Sequence, residues 1–379
     1  MNILIVTRGV PSKRDPQWGS FEFDQAKALA RLGHHVVMVS VDSRFRLYWR
    51  KWGLTRGEKD GIKTYNFFCC PAALTGLLGR RVQEAVLRWQ WKKIESALLA
   101  DGVHADIIYA HYLFNSYYAI QCLTKLNAPI VAIEHWSALN KEPLSSRVAQ
   151  MARFTYPRVA QVLAVSRQLK ERIQTLFGIS AEVVPNMLNP VYSYTPQPHK
   201  GPFTFISVGS LRKAKGFDTL IRACAQLNLP QDQWRLMIVG GGRDAQRLKG
   251  LILQARLQHN ISLVGQKSPQ QINALLNESD AFVLASRSET FGVVFIEAMA
   301  CGLPVIATRC GGPEEIIKER NGLLVPVGDS MELAKTMQTM VKDSTRYDRQ
   351  FISNDCKARF SAEVIAKQLT TIFEQNIHS

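Results

Sequence analysis

The sequence has 379 residues, of which 46% are hydrophobic and 21% charged, and its formal net charge at pH 7 is +16. The length allows two domains that each bury a core, and the composition is that of a globular protein, which excludes a disordered chain. Residues 1–195 hold 25 Lys and Arg against 14 Asp and Glu, a net of +11, and the remainder holds +5. The N-terminal half therefore carries most of the attraction for an anionic partner, either nucleic acid or an acidic membrane.

Neither the cysteines nor the N-terminus indicates secretion. Seven cysteines show no spacing typical of a metal site or a disulfide framework, which favours reduced thiols in a cytosol. The apolar N-terminal stretch runs directly into Arg8 and is too short for a signal peptide. The sequence has no stretch of 18 apolar residues that predicts a membrane span. We therefore expect a cytoplasmic protein.

The first elements predict a parallel sheet flanked by helices. Residues 2–7 are typical of a buried strand, residues 19–33 of a helix that ends before Gly33, and residues 35–40 of the next strand. This βαβ order is the beginning of a Rossmann-like half. The first loop lacks the Gly-x-Gly-x-x-Gly spacing of dinucleotide sites, so we expect no NAD site there.

Two segments then combine aromatic and basic residues. Residues 44–52 contain four cations and four aromatic side chains, and residues 77–99 predict one long helix. The helical positions in register are Leu78, Val82, Val86, Trp89, Lys93 and Ala97. Two interpretations stay open: the stripe packs into the core, or both segments contact an anionic membrane surface. We favour the membrane.

Two predicted strands, residues 106–111 and 128–135, end in histidines. Ligands bind at the carboxyl ends of parallel strands, which makes His111 a candidate catalytic residue and His135 a weaker one. A purely structural role is the alternative for each. Prolines cluster between residues 185 and 202, where periodicity breaks, and we place the domain boundary there, with domains at 1–188 and 189–360.

A second Rossmann-like half begins at residues 203–209. The turn after this strand holds Gly209, Arg212, Lys215 and Gly216 just before a predicted helix. A lysine point charge and an arginine fork beside a glycine turn are suited to hold phosphate. The alternative is a solvated cluster of charges.

Residues 281–308 predict a strand, a loop, a helix capped by Thr290, and another strand. Glu289 lies in the loop and Glu297 on the helix. The amides of Phe291, Gly292 and Val293 would lack partners at the helix start and would attract an anion. A phosphate cradle with a carboxylate on each side suits a nucleotide sugar, whereas on spacing alone two solvated glutamates are equally consistent.

The Glu289 to Glu297 segment, its FGVVFIEAMACGLPVIAT continuation and the later NGLLVPVGD resemble the retaining glycosyltransferases of family 4. The resemblance covers nearly the whole chain, is densest over residues 207–328, and is weakest over residues 44–99. It implies the GT-B architecture, an α/β fold of two Rossmann-like parallel-sheet domains that face a central cleft. It also implies that a last helix, residues 361–379, returns to the first domain.

The resemblance assigns roles to individual residues. It implies that Glu289 contacts the donor sugar, that Glu297 holds the ribose hydroxyls, and that His111 lines the sugar and acceptor cleft. The remaining donor contacts that it implies are Gly19, Ser20, Gly209 and, for the nucleotide base, the strand end at Lys267. For Gly19 and Ser20 a plain structural turn is the alternative. The family usually has Arg directly after the first Gly, where this chain has Ser210, and Arg212 is the candidate substitute.

The implied activity is a retaining transfer of a sugar from a nucleotide diphosphate, for which we favour UDP over GDP or ADP. The implied acceptor is a hydroxyl of a glycan or a lipid-linked molecule, in bacterial cell-surface polysaccharide or lipopolysaccharide assembly. No Asp-x-Asp site lies at a strand end, so we expect no metal and assign charge stabilisation to Lys215 and Arg212.

Other classes of protein remain as alternatives. They are a nucleotide-sugar epimerase of the same architecture, a basic nucleic-acid-binding protein, and an inactive scaffold. We do not expect nucleic acid as a partner because the chain shows no motif for it. A glycosidase is disfavoured because Glu297 should face ribose, whereas a hydrolytic pair flanks one glycosidic bond.

Overall fold

The computed structural model describes the whole chain except residues 13, 16–17, 45–49, 70–71, 141, 198–200 and 378–379. The chain divides into two compact units. Unit 1 comprises Met1–Pro185 together with Ala362–Ser379, and unit 2 comprises Asn186–Ser361. The division thus falls at residue 185, three residues before the predicted boundary.

Short apolar runs form the central strands of unit 1, the edge strand Gly53–Lys59 is polar and largely exposed, and longer amphipathic segments form the helices. The strands are β1 Asn2–Thr7, β2 His35–Val41, β3 Gly53–Lys59, β4 Ile62–Phe68, β5 Ile107–His111, β6 Ile130–Glu134, β7 Gln161–Ala164 and β8 Ala181–Val183. The helices are α1 Ser20–Arg31, α2 Ala72–Leu77, α3 Arg80–Ala100, α4 Leu113–Cys122, α5 Ser146–Thr155 and α6 Arg167–Phe177.

These strands form one sheet in the order β3-β4-β2-β1-β5-β6-β7-β8. The described pairings are parallel except between β3 and β4, an antiparallel hairpin that the sequence analysis does not predict. Leu4 of β1 pairs with Val37 on one side and Ile108 on the other, so β1 is central and buried on both faces. Its carboxyl end therefore lies at the middle of the edge where a parallel sheet binds ligands.

Unit 2 repeats the alternation of buried strands and helices. Its strands are β9 Phe203–Val208, β10 Trp234–Val239, β11 Ile261–Gly265, β12 Ala281–Leu284, β13 Val305–Thr308 and β14 Gly322–Val325. Its helices are α7 Phe217–Cys224, α8 Ala245–Gln254, α9 Pro269–Asn277, α10 Val293–Ala300, α11 Pro313–Ile316, α12 Ser330–Lys342 and α13 Arg349–Phe360. The strand order is β11-β10-β9-β12-β13-β14, and the pairings are parallel. Two parallel sheets confirm the predicted α/β class.

The last helix, α14 (Ala362–Ile377), belongs to unit 1 although it follows unit 2 in sequence. It packs against α1, and its apolar face, which includes Leu369 and Phe373, is buried. The Phe373 ring lies 5.1 Å from the ring of Tyr109 on β5. The segment therefore completes the core of unit 1.

The predicted single helix over residues 77–99 is wrong in two respects. The chain breaks at Gly79, with φ of +99°, into α2 and α3. The buried stripe of α3 contains Leu87, Trp91, Ile94 and Leu98, whereas Val82 and Trp89 of the predicted stripe are exposed. Helix α3 has apolar residues on two faces, and its packing on the sheet buries one of them.

The other basic-aromatic segment is described only in part. Residues 45–49 lie outside the described residues, and Trp52 is exposed. Arg50 pairs with Asp42 at 3.0 Å and lies 3.6 Å from the Phe68 ring, so this cation is engaged within unit 1. No helix in the described part of the chain combines the length and apolar character needed to cross a bilayer.

Candidate functional site

Two of the predicted donor residues of unit 2, Lys215 and Glu289, meet where the strand order reverses. β9 and β12 are neighbours in the sheet, but the chain leaves β9 toward β10 and leaves β12 toward β13. A crevice forms at the carboxyl ends of two such strands, and ligands of open α/β sheets bind there. Lys215 follows β9 and Glu289 follows β12, and the Lys215 Nζ lies 2.6 Å from Oε1 of Glu289.

Glu289 is held by its side chain and by its backbone. The Ser286 hydroxyl donates to Oε1 of Glu289 at 2.7 Å. Glu289 also forms an isolated β-bridge with Gly311, in which its amide donates to the carbonyl of Cys310. The bridge keeps this part of the loop extended, so α10 begins at Val293 with Gly292 as its N-cap, and the predicted cap at Thr290 is wrong.

The loops that carry Lys215 and Glu289 are fastened to each other. The amide of Arg287 donates to the Ala214 carbonyl at 2.8 Å, and its guanidinium pairs with Asp218 at 2.9 Å. Gly216, with φ of +64°, lies so close to the Ala285 carbonyl that a Cβ there would be 1.7 Å from the oxygen. These contacts hold Lys215 against Glu289.

The beginning of α10 lies in the same loop. Gly292 has φ of +93°, and its carbonyl accepts the Phe295 amide. Phe291 is buried with its ring edge-on to Phe360 at 5.8 Å. The first amides of a helix have no carbonyl acceptor in a preceding turn, so Phe291, Gly292 and Val293 present donors suited to an anion.

Glu297 lies one turn into α10 and is partly buried. Burial raises the pKa of Glu297 to about 7. A hydrogen bond from the Tyr192 hydroxyl acts in the opposite direction and lowers this pKa. Tyr192 itself is buried. The carboxyl group therefore changes charge near neutral pH, where its capacity to accept hydrogen bonds also changes.

The other predicted residues of unit 2 are dispersed around this pair. Arg212 is exposed, and its Nε donates to the Ser210 hydroxyl at 2.9 Å rather than to Glu289. Gly209 continues β9 and donates its amide to the Val239 carbonyl. Lys267 follows β11, which is separated from β9 by β10. The structure therefore brings Lys215 and Glu289 together and leaves Arg212 on the exposed side of its loop.

In unit 1, His111 and His135 are stacked. Their rings are 5.3 Å apart and nearly parallel, with Nδ1 of His111 at 3.2 Å from Nε2 of His135. His111 is fully buried, and burial together with the positive charge of Arg8 lowers its pKa to about 3. His111 is thus neutral at ordinary pH, and His135 is the more accessible of the two.

Gly19 and Ser20 begin α1 beside the loop that follows β1. Gly19 has φ of +72°, and a Cβ there would lie 1.9 Å from the Gly9 carbonyl oxygen. The two loop segments cross at this point without room for a side chain. Nearby, the Trp18 indole donates to the Arg8 carbonyl at 2.8 Å.

The carboxyl ends of β1, β2, β5 and β6 surround a pocket of about 330 Å³. Its aromatic and polar lining consists of Arg8, Trp18, Asp42, Ser43, Arg44, Tyr112, Phe114, Asn115 and Trp136. The Arg8 guanidinium lies 4.2 Å from the Tyr112 ring and pairs with Glu22 at 2.8 Å. Aromatic faces with a few polar groups are typical of small-molecule sites.

The residues that position the predicted ones are not among the predictions from the sequence. Ser286 precedes Glu289 by three residues, and this Ser-x-x-Glu spacing after a strand is a signal that was available. The Arg287 to Asp218 pair and the Tyr192 to Glu297 contact join distant segments, and a single sequence gives no signal for them. The pocket of unit 1 likewise depends on four separate strand ends.

Comparison with known proteins shows similarity along most of the chain. The family described as Glycosyltransferase Family 4 matches residues 23–191, and Glycosyl transferases group 1 matches residues 195–357. A relative in Escherichia coli K12, described as a candidate colanic acid biosynthesis glycosyltransferase, WcaL, is 31% identical over 48% of this chain and 48% of its own length. TuaC of Bacillus subtilis 168, a candidate teichuronic acid biosynthesis glycosyltransferase, is 27% identical over 93% of this chain and 90% of its own.

Solved structures show the same fold. The Anabaena protein HepE in complex with UDP superposes with a TM-score of 0.77 at 20% identity, covering 99% of this chain and 100% of that one. The two parallel-sheet units accordingly correspond to the GT-B fold. Because glycosyltransferase family descriptions match both halves, the epimerase, glycosidase and nucleic-acid-binding alternatives lose their basis. The chain belongs to the glycosyltransferases of family 4.

Proposed function

We propose that this glycosyltransferase moves a sugar from a UDP-linked donor to a hydroxyl of a cell-surface polysaccharide or its lipid-linked precursor, with retention at the anomeric carbon. The observation that carries the donor assignment is the 2.6 Å contact of Lys215 with Glu289 at the switch point of unit 2. It supports the proposal because a cation suited to a diphosphate lies beside a carboxylate suited to a sugar hydroxyl, and Glu289 lies in the loop that leads into α10.

The donor site separates three chemical tasks. Lys215 and the amides of residues 291–293 neutralise the diphosphate. Glu289 accepts a sugar hydroxyl through Oε2, because its hydrogen bonds among the described residues go to Oε1. Glu297 accepts the ribose hydroxyls. UDP is favoured by the Anabaena protein of the same fold, which was solved with UDP.

The reaction that we propose proceeds on one face of the sugar. The bond from the anomeric carbon to the diphosphate oxygen breaks, and the acceptor oxygen bonds to the same face of that carbon. The acceptor proton passes to the departing diphosphate oxygen. Lys215 stabilises the negative charge that grows on this oxygen, which is where a fixed cation lowers the barrier most. Arg212 would join it by turning away from Ser210.

The acceptor side of the proposal rests on unit 1. Its pocket offers the aromatic side chain of Trp136 to a sugar ring, and the polar side chains of Ser43 and Asn115 to hydroxyls. His135, which is more accessible than the buried and neutral His111 on which it stacks, supplies a hydrogen-bonding imidazole beside Tyr112 at the same strand ends. The names of the E. coli and B. subtilis relatives favour polysaccharide as the acceptor class.

A screen of nucleotide sugars tests the donor class. The enzyme should hydrolyse one UDP-sugar slowly without acceptor, and mass spectrometry should detect a glycosylated product once acceptor is added. NMR of the new anomeric centre should show the donor's configuration. Turnover of GDP-sugars alone would overturn the UDP assignment, and an inverted centre would overturn retention.

Two carboxylate variants test the division of roles. Glu289→Gln should abolish transfer with little change in UDP affinity, because it removes charge beside the sugar. Glu297→Ala should weaken UDP binding by about tenfold or more, because buried ribose hydroxyls lose a charged acceptor. Titration calorimetry with UDP measures both, and equal losses of affinity would contradict the assignment.

A further inference from the structure

Three leucines are exposed where the chain turns from α2 into α3. Leu77 is 83% exposed, Leu78 71% and Leu74 51%. Helix α2 packs against α3, with Gly76 facing the Gln83 side chain, so the leucines lie at the turn of a helical hairpin. Exposed apolar residues that adjoin one another mark a surface for an apolar partner.

The apolar surface continues along α3. Val82 and Trp89 are seven residues apart, so they lie on one face of the helix, opposite the buried stripe that contains Trp91. Both are exposed, at 39% and 48%. The Trp89 ring meets the Phe67 ring edge-on at 5.4 Å, and this contact orients the indole at the end of β4.

The same segment is strongly basic. Residues 74–93 contain one acidic residue, Glu84, and five basic residues: Arg80, Arg81, Arg88, Lys92 and Lys93. The next acid along the helix, Glu95, is largely buried. The arginines at 81 and 88 are exposed and flank the apolar face. Leucine and tryptophan bordered by arginine and lysine is the composition of segments that lie in a membrane interface.

A small pocket adjoins the leucine turn. It measures about 110 Å³, and its lining includes Arg80, Arg147 and Tyr117 from α3, α5 and α4. Glu84 also lines this pocket and pairs with Arg80 at 2.9 Å, so an anion there would have to displace this carboxylate. Planar guanidinium groups match the oxygens of a phosphate.

We propose that the α2–α3 surface, defined by Leu74, Leu77, Leu78, Arg80, Arg81, Val82, Arg88 and Trp89, docks onto an anionic phospholipid bilayer. The leucines enter the boundary between headgroups and acyl chains, and Trp89 lies at headgroup level. The arginines contact lipid phosphates. Charge complementarity selects this partner over a neutral apolar one, and the attraction falls as salt screens it.

This docking does not depend on the proposed activity, although it would bring a lipid-linked acceptor to the enzyme. Co-sedimentation with vesicles therefore tests it without substrate. The vesicles contain phosphatidylglycerol and phosphatidylcholine in one series and phosphatidylcholine alone in the other, at low and moderate salt. Thermal unfolding of each variant verifies that it is folded.

One variant removes basic residues of the surface, and a second removes apolar ones. Arg80→Gln with Arg81→Gln and Arg88→Gln should lower the partition onto anionic vesicles at least tenfold. Leu77→Ser with Leu78→Ser should lower it severalfold and should reduce quenching of tryptophan by bromine-labelled acyl chains. Matched controls lie on unit 2: Lys249→Gln with Lys335→Gln and Lys342→Gln for charge, and Leu253→Ser with Met331→Ser for apolar exposure.

Binding to anionic vesicles that both surface variants lose and both controls retain supports the proposal. Wild-type protein that stays in the supernatant at low salt overturns it. If the unit 2 charge control loses as much vesicle binding as the arginine variant of the surface, the attraction is general to a basic protein and the proposed site is wrong. A dimer in solution that Leu77→Ser with Leu78→Ser dissociates would identify a second copy of the chain as the occupant instead.

Discussion

The ion pair of Lys215 and Glu289 joins residues that are 74 positions apart in sequence. Both side chains are largely buried, at 18% and 10% exposure. Removing charges from water is unfavourable unless they are paired, so neither side chain would remain there alone. A pair held in this state can exchange partners when a diphosphate and a sugar enter.

Lys215 should matter more for turnover than Arg212. We expect Lys215→Ala to lower kcat by about 100-fold or more, the effect of removing a fixed charge at a developing anion. Arg212→Ala should lower it by less than about tenfold, because Arg212 is exposed and bonds to Ser210. Steady-state rates at saturating donor measure both. An unimpaired Lys215→Ala enzyme would remove this lysine from the mechanism.

Glu297 should make nucleotide binding depend on pH. Its pKa of about 7 in the folded protein lies above the ordinary value of about 4.3. The contribution of Glu297 to the free energy of unfolding is therefore fully present below about pH 4, where the group is protonated. It is lost as the pH rises through about 7. In the proposed role of Glu297, the ionised carboxylate accepts ribose hydroxyls more strongly than the neutral acid, so UDP affinity should rise about tenfold between pH 6 and 8.

Glu297→Gln is the control for this dependence. It cannot ionise, and the titration of the UDP phosphate affects both proteins equally. The ratio of the two Kd values, measured by calorimetry, should therefore change with pH. A constant ratio would show that Glu297 does not titrate in this range.

At the scale of elements, the donor site depends on close passage of two loops. Gly216 begins α7, and its backbone lies against the Ala285 carbonyl at the end of β12. A left-handed conformation and a contact without room for a methyl group both require glycine. The loops thus approach each other far enough for Lys215 to reach Glu289.

Gly216→Ala should separate these loops. The strained φ and the clash together should lower the free energy of unfolding by at least about 2 kcal/mol and reduce transfer. Gly250→Ala is the matched control, since Gly250 lies within α8 and its Cβ would meet nothing within 4 Å. It should stabilise the protein by up to about 1 kcal/mol. Urea unfolding compares them, and similar effects would contradict the close-passage argument.

At the scale of the whole molecule, the chain crosses from unit 1 to unit 2 and returns. Phe373 of α14 is fully buried against Tyr109, so Phe373→Ala should destabilise unit 1 by about 3–5 kcal/mol. Val364→Ala, at an exposed position of the same helix, should change stability by less than about 0.5 kcal/mol.

Scanning calorimetry separates the two units. UDP should raise the transition of unit 2, because a ligand stabilises the state that binds it, and this assigns the transitions. Phe373→Ala should then lower the other transition. A shift confined to the UDP-sensitive transition would show that α14 does not support unit 1.

The sequence by itself determined the strands around β1 and β12, the α/β class, and the Glu289 to Glu297 segment. These features are local: a buried strand is a short apolar run, and the spacing of two glutamates is read directly from the chain. The family assignment followed from the same continuous segment, and the comparisons confirm it.

Only the tertiary structure decided which residues meet. Helix α3 has apolar residues on two faces, and the sheet buries the face of Trp91 and leaves Trp89 half exposed. Lys215 meets Glu289 because β9 and β12 are neighbours, and the pocket of unit 1 forms because four strand ends share one edge. Such contacts depend on strand order and packing, and neither periodicity nor spacing along the chain contains that information.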